Sequence, residues 1–202
     1  MSLITILDYS VNNLRSVQKA FEHLGHKTLV TSDPETVARA EKLVLPGVGA
    51  FGEAMRNLRQ KELVEPILET ASSGRYVMGV CLGMQLLFDW SEELGLNRGL
   101  GVLDGKIEKF PALPDLKVPH MGWSGLHFPR ASKLFAGLPQ GEMCYFVHSY
   151  HAVCDAEIVA ARGHHGMAFT AGVERDNVMG AQFHPEKSSA AGLKILDNFA
   201  RL

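Results

Sequence analysis

Short apolar runs alternate with helix-like segments through the first half of this 202-residue chain. The runs are rich in aliphatic and β-branched residues, and helical spacing of apolar residues separates them. The predicted strands are 3–8, 27–32, 42–47 and 76–80, and the predicted helices are 14–24, 34–40, 51–59 and 63–73. Apolar strands that alternate with helices are typical of a parallel sheet covered on both faces. The sequence therefore predicts an open, doubly wound, mostly parallel α/β sheet with helices on both faces.

The second half is strand-rich. A hairpin is expected around Asp104-Gly105, with turns at 163–166 and 176–177 and a closing helix over 189–202. The strand-like runs are 142–150, 157–163, 167–175 and 178–184. Neither a linker nor a repeat divides the chain, so we expect a single domain over residues 1–202.

Composition narrows the class of protein. Lys and Arg number 20 against 22 Asp and Glu, and like charges form no block, which argues against nucleic-acid or membrane-surface binding. No apolar run approaches the roughly 18 residues of a membrane span, and the first residues read as a strand rather than a signal peptide. The three cysteines are far apart, which predicts free thiols and a reducing compartment, the cytoplasm.

The stretch GVCLGMQ places Cys81 between Gly79 and Gly83, after a predicted strand and before the helix-like run LLFDW. This spacing matches the nucleophile elbow, in which small neighbours permit a sharp turn that exposes the reactive side chain. The N–H groups of a following helix favour thiolate, the nucleophilic form. The alternative is a small apolar cysteine packed under a helix. Cys144 and Cys154 have no such setting, and we expect them to be unreactive core or surface residues.

A thiol nucleophile needs an oriented base and an oxyanion donor. In QFHPEKS, His184 and Glu186 project to the same side of an extended backbone, so the carboxylate can orient the imidazole; otherwise they are surface residues. Gly47 and Gly49, in the loop after the third strand, can turn a backbone N–H toward a reacting carbonyl, or form an ordinary loop.

The remaining histidines indicate no metal site. His148 and His151 are three residues apart in a strand-like run, so their side chains point to opposite faces. His164 and His165 lie in a predicted turn, and no third ligand is apparent.

The motifs LPGVG, GVCLGMQ and FHPEKS, in this order, resemble the class I (triad) glutamine amidotransferase family over the whole chain. The stretches LDYSVNNLRSV, VPHMGW, YFVHSYH and the C-terminal HPEKS segment are similar to one branch of it. In that branch the glutaminase subunit passes ammonia to a (β/α)8-barrel cyclase, which makes imidazole glycerol phosphate and aminoimidazole carboxamide ribotide in histidine biosynthesis.

The resemblance implies a flavodoxin-like sheet, hydrolysis of glutamine to glutamate and ammonia, a heterodimer with the cyclase subunit, and neither cofactor nor metal. It assigns Cys81 as nucleophile, His184 as proton carrier and Glu186 as its partner. The implied oxyanion and substrate residues are Gly47, Val48, Gly49, Leu82, Gln85, Ser149 and Tyr150. The implied partner-interface residues are Asn13, Trp123 and Lys187.

Two alternatives remain open at this level. The triad is shared with the glutaminase subunits for anthranilate and aminodeoxychorismate synthesis, from which VPHMGW separates this chain. A scaffold subunit without activity has no chemical need for all three triad residues.

Overall fold

Thirteen strands and six α-helices are described by the computed structural model, which covers residues 3–112 and 116–202. The strands are β1 Leu3–Leu7, β2 Lys27–Thr31, β3 Lys42–Leu45, β4 Tyr76–Val80, β5 Phe88–Ser91, β6 Asn97–Arg98, β7 Leu103–Lys109, β8 His120–Leu126, β9 Glu142–His148, β10 Tyr150–Val153, β11 Val159–His165, β12 Met167–Arg175 and β13 Val178–Ala181. The helices are α1 Leu14–His23, α2 Pro34–Ala38, α3 Phe51–Gln60, α4 Val64–Ser72, α5 Leu82–Leu86 and α6 Ser189–Ala200.

A large sheet has the strand order β2-β1-β3-β4-β13-β12-β10-β7-β5-β6, with β11 paired to β12. Strands β2, β1, β3, β4 and β13 run parallel to one another, and β12 and β10 continue the sheet in antiparallel fashion. Strands β8 and β9 form a separate antiparallel pair. The predicted parallel α/β sheet is confirmed, and its strand-rich extension lies at one side.

The two faces of the sheet carry separate apolar cores. Val17 of α1 and Ile195 of α6 belong to one buried cluster, and Val37, Leu58 and Ile67 of α2, α3 and α4 belong to the other. Helices therefore cover both faces, as the alternating pattern predicts. Among the described residues, none of the helices has the length and apolar character needed to cross a bilayer.

Two helices have standard capping residues at one end. The cap of α2 is Asp33: its carboxylate accepts a hydrogen bond from the Thr36 N–H at 2.8 Å. Pro34 occupies the first turn of α2. Gly25, which follows α1, has φ +82°, the left-handed conformation that ends many helices.

Several local predictions were wrong. The turn predicted at 163–166 is confined to Gly166, because His164 and His165 belong to β11, which pairs with β12. The run LLFDW does not continue the helix: α5 ends at Leu86, and Phe88–Ser91 becomes β5 because it pairs with β7. Asp104-Gly105 forms no hairpin, since both residues lie within β7, where the register with β5 is irregular. The Gly105 N–H donates to the Asp89 carboxylate at 2.9 Å, so these turn-prone residues form a bulge instead.

The predicted strand 142–150 is divided into β9 and β10 at Ser149. Strand β9 pairs with β8 in the small sheet, whereas β10 pairs with β7 and β12 in the large one. The chain therefore changes sheets at Ser149, a break that the uniform apolar pattern did not reveal.

Candidate active site

Cys81 lies in a strained turn between β4 and α5. Its backbone has φ +53° and ψ −109°, a conformation that costs a non-glycine residue on the order of 1–3 kcal/mol. A Cβ atom at Gly83 would lie 1.7 Å from the Leu45 carbonyl oxygen, and one at Gly79 would lie 2.5 Å from the Met84 backbone nitrogen. Both glycines are therefore required for the sharp turn.

The base reaches the nucleophile from the neighbouring parallel strand. Strand β13 pairs with β4, and the Cys81 N–H donates to the Ala181 carbonyl oxygen at 2.7 Å. His184 lies three residues beyond Ala181. Because parallel strands end at the same edge of a sheet, this pairing brings His184 to the same edge as Cys81.

The imidazole and carboxylate form a buried pair. His184 Nδ1 lies 2.9 Å from Glu186 Oε1, and both side chains are almost fully excluded from solvent. Asn13 Nδ2 donates to the same carboxylate oxygen at 2.5 Å. Among the described residues, no hydrogen-bond partner satisfies His184 Nε2. The Glu186 carboxylate thus fixes Nδ1 and leaves Nε2 for the thiol.

Neighbouring groups shift the pKa values of His184 and Glu186 so that both charged forms are favoured. Burial acts to lower the pKa of His184, but the Cys81 sulfur and the Glu186 carboxylate outweigh it and raise this pKa to about 10. Burial acts to raise the pKa of Glu186, but hydrogen bonds from His184 and Asn13 keep it below its ordinary value. An imidazolium at His184 favours an adjacent thiolate.

The β9 strand and Ser188 hold the turn that carries the base. The His184 N–H donates to the Tyr145 carbonyl oxygen at 3.0 Å. The Ser188 hydroxyl donates to the His184 carbonyl oxygen at 2.7 Å and accepts from the Tyr145 N–H at 3.0 Å. The backbone of the base is thereby fixed on both sides.

A cavity of about 380 Å³ opens beside Cys81. Its lining includes six of the seven oxyanion and substrate residues that the sequence suggested, namely Val48, Gly49, Leu82, Gln85, Ser149 and Tyr150. Gly47 lies behind them, where its Cβ would contact the Tyr9 hydroxyl. A larger cavity, about 730 Å³, lies between α4 and the start of β13, and Cys81 is not part of it.

In the loop after β3, the Gly47 carbonyl points toward the start of α5. The Gly47 carbonyl oxygen accepts a hydrogen bond from the Leu82 N–H at 3.3 Å. The Tyr9 hydroxyl donates to the adjacent Pro46 carbonyl oxygen at 2.5 Å, and burial followed by the charge of Cys81 raises the pKa of Tyr9. The Leu82 amide expected to serve as an oxyanion donor therefore already has an acceptor.

Sequence reasoning missed several groups around the cavity. Glu93 supplies a carboxylate to the lining, and its Oε2 accepts a hydrogen bond from the Phe51 N–H at 2.6 Å. Pro119 and His148 also line the cavity, and Gln182 lies 3.9 Å from the Cys81 sulfur. The signal for Gln182 was its place two residues before His184; the others depend on tertiary contacts.

The other two cysteines lie in unreactive surroundings. Cys144 is fully buried, and burial raises the pKa of its thiol to about 12. Cys154 is partly buried, and burial again raises its pKa. Both remain neutral thiols near pH 7. Among residues 3–112 and 116–202, no group of three His, Cys, Asp or Glu residues is placed to hold a metal ion.

The residues suggested for the partner interface differ in their surroundings. Trp123 is 48% exposed on β8, where its ring meets Tyr145 of β9 edge-on, and Met121 and Met143 are exposed on the same hairpin. Lys187 is exposed next to Glu186. Asn13 instead directs its side chain at the Glu186 carboxylate.

A parallel α/β sheet with a cysteine elbow, a buried His–Glu pair and a small cavity beside the cysteine defines a class of thiol amidohydrolase. The family model described as glutamine amidotransferase class-I matches residues 5–202. The chain belongs to this family.

Two relatives of the chain are subunits of the same kind of enzyme. The chain is 52% identical to the imidazole glycerol phosphate synthase subunit HisH of Syntrophotalea carbinolica, over 98% of each chain. It is 49% identical to the HisH subunit of Geobacter sulfurreducens, over 100% of each.

Solved structures share the fold at low sequence identity. A glutamine amidotransferase crystal structure has a TM-score of 0.76 at 19% identity, covering 98% of this chain and 99% of that one. PurLQS from Thermotoga maritima has a TM-score of 0.74 at 20% identity, covering 100% and 99%.

Proposed function

We propose that this chain is the glutaminase subunit of imidazole glycerol phosphate synthase and that residues 1–202 act as one glutaminase domain. The observation that carries the proposal is the buried His184–Glu186 pair beside an elbow cysteine. Full-length identity of about half to HisH subunits supports the choice of enzyme. The free thiols of all three cysteines favour a reducing compartment, the cytoplasm.

In the proposed reaction, the Cys81 thiolate attacks the side-chain amide carbon of glutamine. His184 donates its proton to the departing nitrogen, so ammonia leaves and a glutamyl thioester remains. Water then attacks the thioester while His184 accepts one of its protons; the Cys81 sulfur leaves as thiolate, so glutamate is released and the thiolate–imidazolium pair is restored. Glu186 keeps the imidazole in the orientation required for both transfers, and Asn13 holds Glu186.

Binding of glutamine uses the cavity beside Cys81. Gln85, Ser149, Tyr150 and Glu93 lie around it and supply polar groups suited to the α-amino and α-carboxyl ends. Val48, Gly49 and Leu82 line the same cavity, with Gly47 adjoining them, and this segment is the proposed source of the oxyanion donor. This arrangement needs no metal or cofactor for the chemistry.

The proposed partner is the (β/α)8-barrel cyclase subunit, which would receive the ammonia and form a heterodimer with this chain. The exposed Trp123, Met121 and Met143 supply an apolar surface on the β8–β9 hairpin for that contact, with Lys187 as a nearby charge. The Tyr145 carbonyl of this hairpin also holds the backbone of His184.

The direct test of the proposal is labelling with a glutamine-analogue electrophile followed by peptide mass spectrometry. We expect a single adduct at Cys81, suppressed by excess glutamine, because a glutamine-shaped reagent must occupy the cavity to react. Cys154 provides an internal control as a partly buried thiol. An adduct at Cys154 alone, or one that glutamine does not suppress, contradicts the assignment.

The isolated chain is expected to hydrolyse glutamine slowly until its partner binds, since the Leu82 amide is occupied by the Gly47 carbonyl. Tyr9→Phe removes the hydroxyl that holds the adjacent Pro46 carbonyl. We expect it to raise partner-independent glutaminase activity roughly tenfold, the equivalent of one hydrogen bond. The measurement is glutamate release by the purified chain.

Thr70→Val is the control for this substitution, because it removes another buried hydroxyl, bound to the Val37 carbonyl at 2.9 Å. It should leave glutamate release unchanged. Full activity of the unmodified chain alone would show that the occupied amide does not limit turnover.

Glu93→Gln is expected to raise the KM for glutamine by roughly 10- to 100-fold, with kcat much less affected, because a hydrogen bond to a charged α-ammonium is weakened. Glu92→Gln is the matched control, since the neighbouring carboxylate accepts from the Lys109 N–H instead. Steady-state kinetics of the complex distinguish the two. Equal effects at both positions would contradict a binding role for Glu93.

A further inference from the structure

The β8–β9 hairpin carries a hydrogen-bonded pair of histidines. Its register places His120 directly opposite His148. His120 Nδ1 lies 3.3 Å from His148 Nε2, and His148 Nδ1 lies 2.8 Å from the Tyr150 carbonyl oxygen. On the other side, His120 Nε2 lies 3.0 Å from the Ser124 hydroxyl.

These contacts determine where the protons lie. A carbonyl oxygen only accepts, so His148 must carry its proton on Nδ1 and donate to Tyr150. The neutral ring then accepts at Nε2, and His120 must donate from its own Nδ1. His120 Nε2 in turn accepts from the Ser124 hydroxyl. Each ring thus has one tautomer, which is set by the Tyr150 carbonyl because this oxygen can only accept.

The surroundings keep both rings neutral. Phe146 and Phe169 pack against them with centroid distances between 5.0 and 5.6 Å. Burial lowers the pKa of His148 to about 3 and that of His120 to about 4. The ionisable groups that act on the pair are themselves histidines, His151 from β10 and His165 from β11, and both disfavour further positive charge on His148. The tautomers therefore persist throughout the neutral pH range.

The Tyr150 carbonyl is also the anchor of two side-chain amides. Gln85 Nε2 donates to this carbonyl at 3.0 Å and to Gln182 Oε1 at 3.0 Å. Since the Gln182 oxygen is engaged, its nitrogen faces the other way, and Nε2 donates to the Cys81 sulfur at 3.9 Å. Both amides are buried, so their orientation is set by these contacts rather than by water.

We propose that His120 and His148 are positioning residues, which fix the Gln182 amide so that it donates to the sulfur of the nucleophile. The Tyr150 carbonyl joins the two halves: His148 holds it from one side, and Gln85 uses it to orient its own amide. A donor directed at the sulfur favours thiolate over thiol. This inference rests on the proposed function for its meaning in catalysis, but it concerns the ionisation of Cys81 alone.

The test follows alkylation of Cys81 by iodoacetamide in the full-length chain, with rates measured from pH 6 to 9 and the adduct counted by peptide mass spectrometry. Gln182→Met removes the donor at similar volume. We expect alkylation at pH 7 to slow about tenfold, because the donor to an anionic sulfur is lost. The rate at high pH should approach that of the parent chain, where the thiolate forms regardless.

The histidine pair is tested by a graded substitution at His148. His148→Leu removes both hydrogen bonds and should slow alkylation at pH 7 about three- to tenfold, since one holder of the Tyr150 carbonyl is lost. His148→Asn places an amide N–H where Nδ1 donates and should restore most of the rate. If His148 acts only by packing, the opposite order of alkylation rates is expected: His148→Leu, with its larger apolar side chain, should react faster than His148→Asn.

His165→Phe is the matched control. This ring stacks on His120 at 4.3 Å, but its Nε2 hydrogen-bonds to the Lys117 carbonyl and not to the Tyr150 carbonyl that the histidine pair holds. Its alkylation profile should equal that of the parent chain. Melting temperatures of all variants separate loss of folding from loss of positioning, and Gln182→Met tests the last link if His148→Leu does not fold.

The possible outcomes are decisive. A parent-like profile for folded Gln182→Met overturns the proposal, as does equal slowing in His148→Leu and His148→Asn. Because alkylation needs neither glutamine nor a partner, it remains informative even if the complex fails to hydrolyse glutamine, which would overturn the proposed function instead. In an active complex, Gln182→Met should lower kcat with little change in the KM for glutamine.

Discussion

Cys81→Ser is expected to lower glutamine-dependent synthesis by the complex by about 10⁴-fold or more, the scale of loss when a triad nucleophile is removed. Serine retains the size and the turn, but its hydroxyl does not ionise against His184 as a thiol does. Synthesis driven by added ammonium should continue at the parent rate, because the cyclase site is untouched. Both rates are measured on the reconstituted complex.

Cys154→Ser serves as the matched control, because it removes a sulfur whose pKa burial raises and which lies outside the cavity. It should leave both rates unchanged. Unaltered glutamine turnover in Cys81→Ser, or parallel loss of the ammonium-driven rate, would show that Cys81 does not act as the nucleophile.

Gly83→Ala is expected to lower the free energy of unfolding by about 3 kcal/mol or more, at the upper end of what overpacking costs. The added Cβ would lie 1.7 Å from the Leu45 carbonyl oxygen, a backbone atom at the end of β3. Either β3 or the start of α5 must move, and the loop after β3 would move with it. Urea unfolding followed by circular dichroism gives the free energy directly.

Gly25→Ala controls for the loss of a glycine as such. Gly25 has φ +82° and open space around it, so its substitution carries backbone strain without a clash, about 1–2 kcal/mol. If Gly83→Ala were no more destabilising than Gly25→Ala, the close contact between the elbow and β3 would not limit stability.

Local patterns predicted the first half of the fold because each of its elements has its own signal. Apolar periodicity predicted a helix over 14–24, and α1 spans Leu14–His23. From α5 onward the same logic failed where strand pairing decided the outcome. Phe88–Ser91 is a strand because β7 lies beside it, and Asp104-Gly105 is a bulge because the sheet continues past it. The residues of these two stretches do not by themselves predict which strand will pair with them.

The candidate site divides in the same way. Cys81, His184 and Glu186 were found from short motifs, since turn chemistry and two-residue spacing are local. Glu93 and Gln182 were missed because their places beside the cavity and the sulfur depend on tertiary contacts, although Gln182 lies only two residues before His184. Asn13 was expected at the partner interface, and its contact with Glu186 emerges only when α1 meets the C-terminal segment.

The pairing of β4 with β13 has a mechanical consequence. A hydrogen bond from the Cys81 N–H to the Ala181 carbonyl at 2.7 Å joins the ends of the two strands that carry the nucleophile and the base. Because Cys81 and His184 follow directly from these two paired strands, a displacement of one strand end also displaces the other.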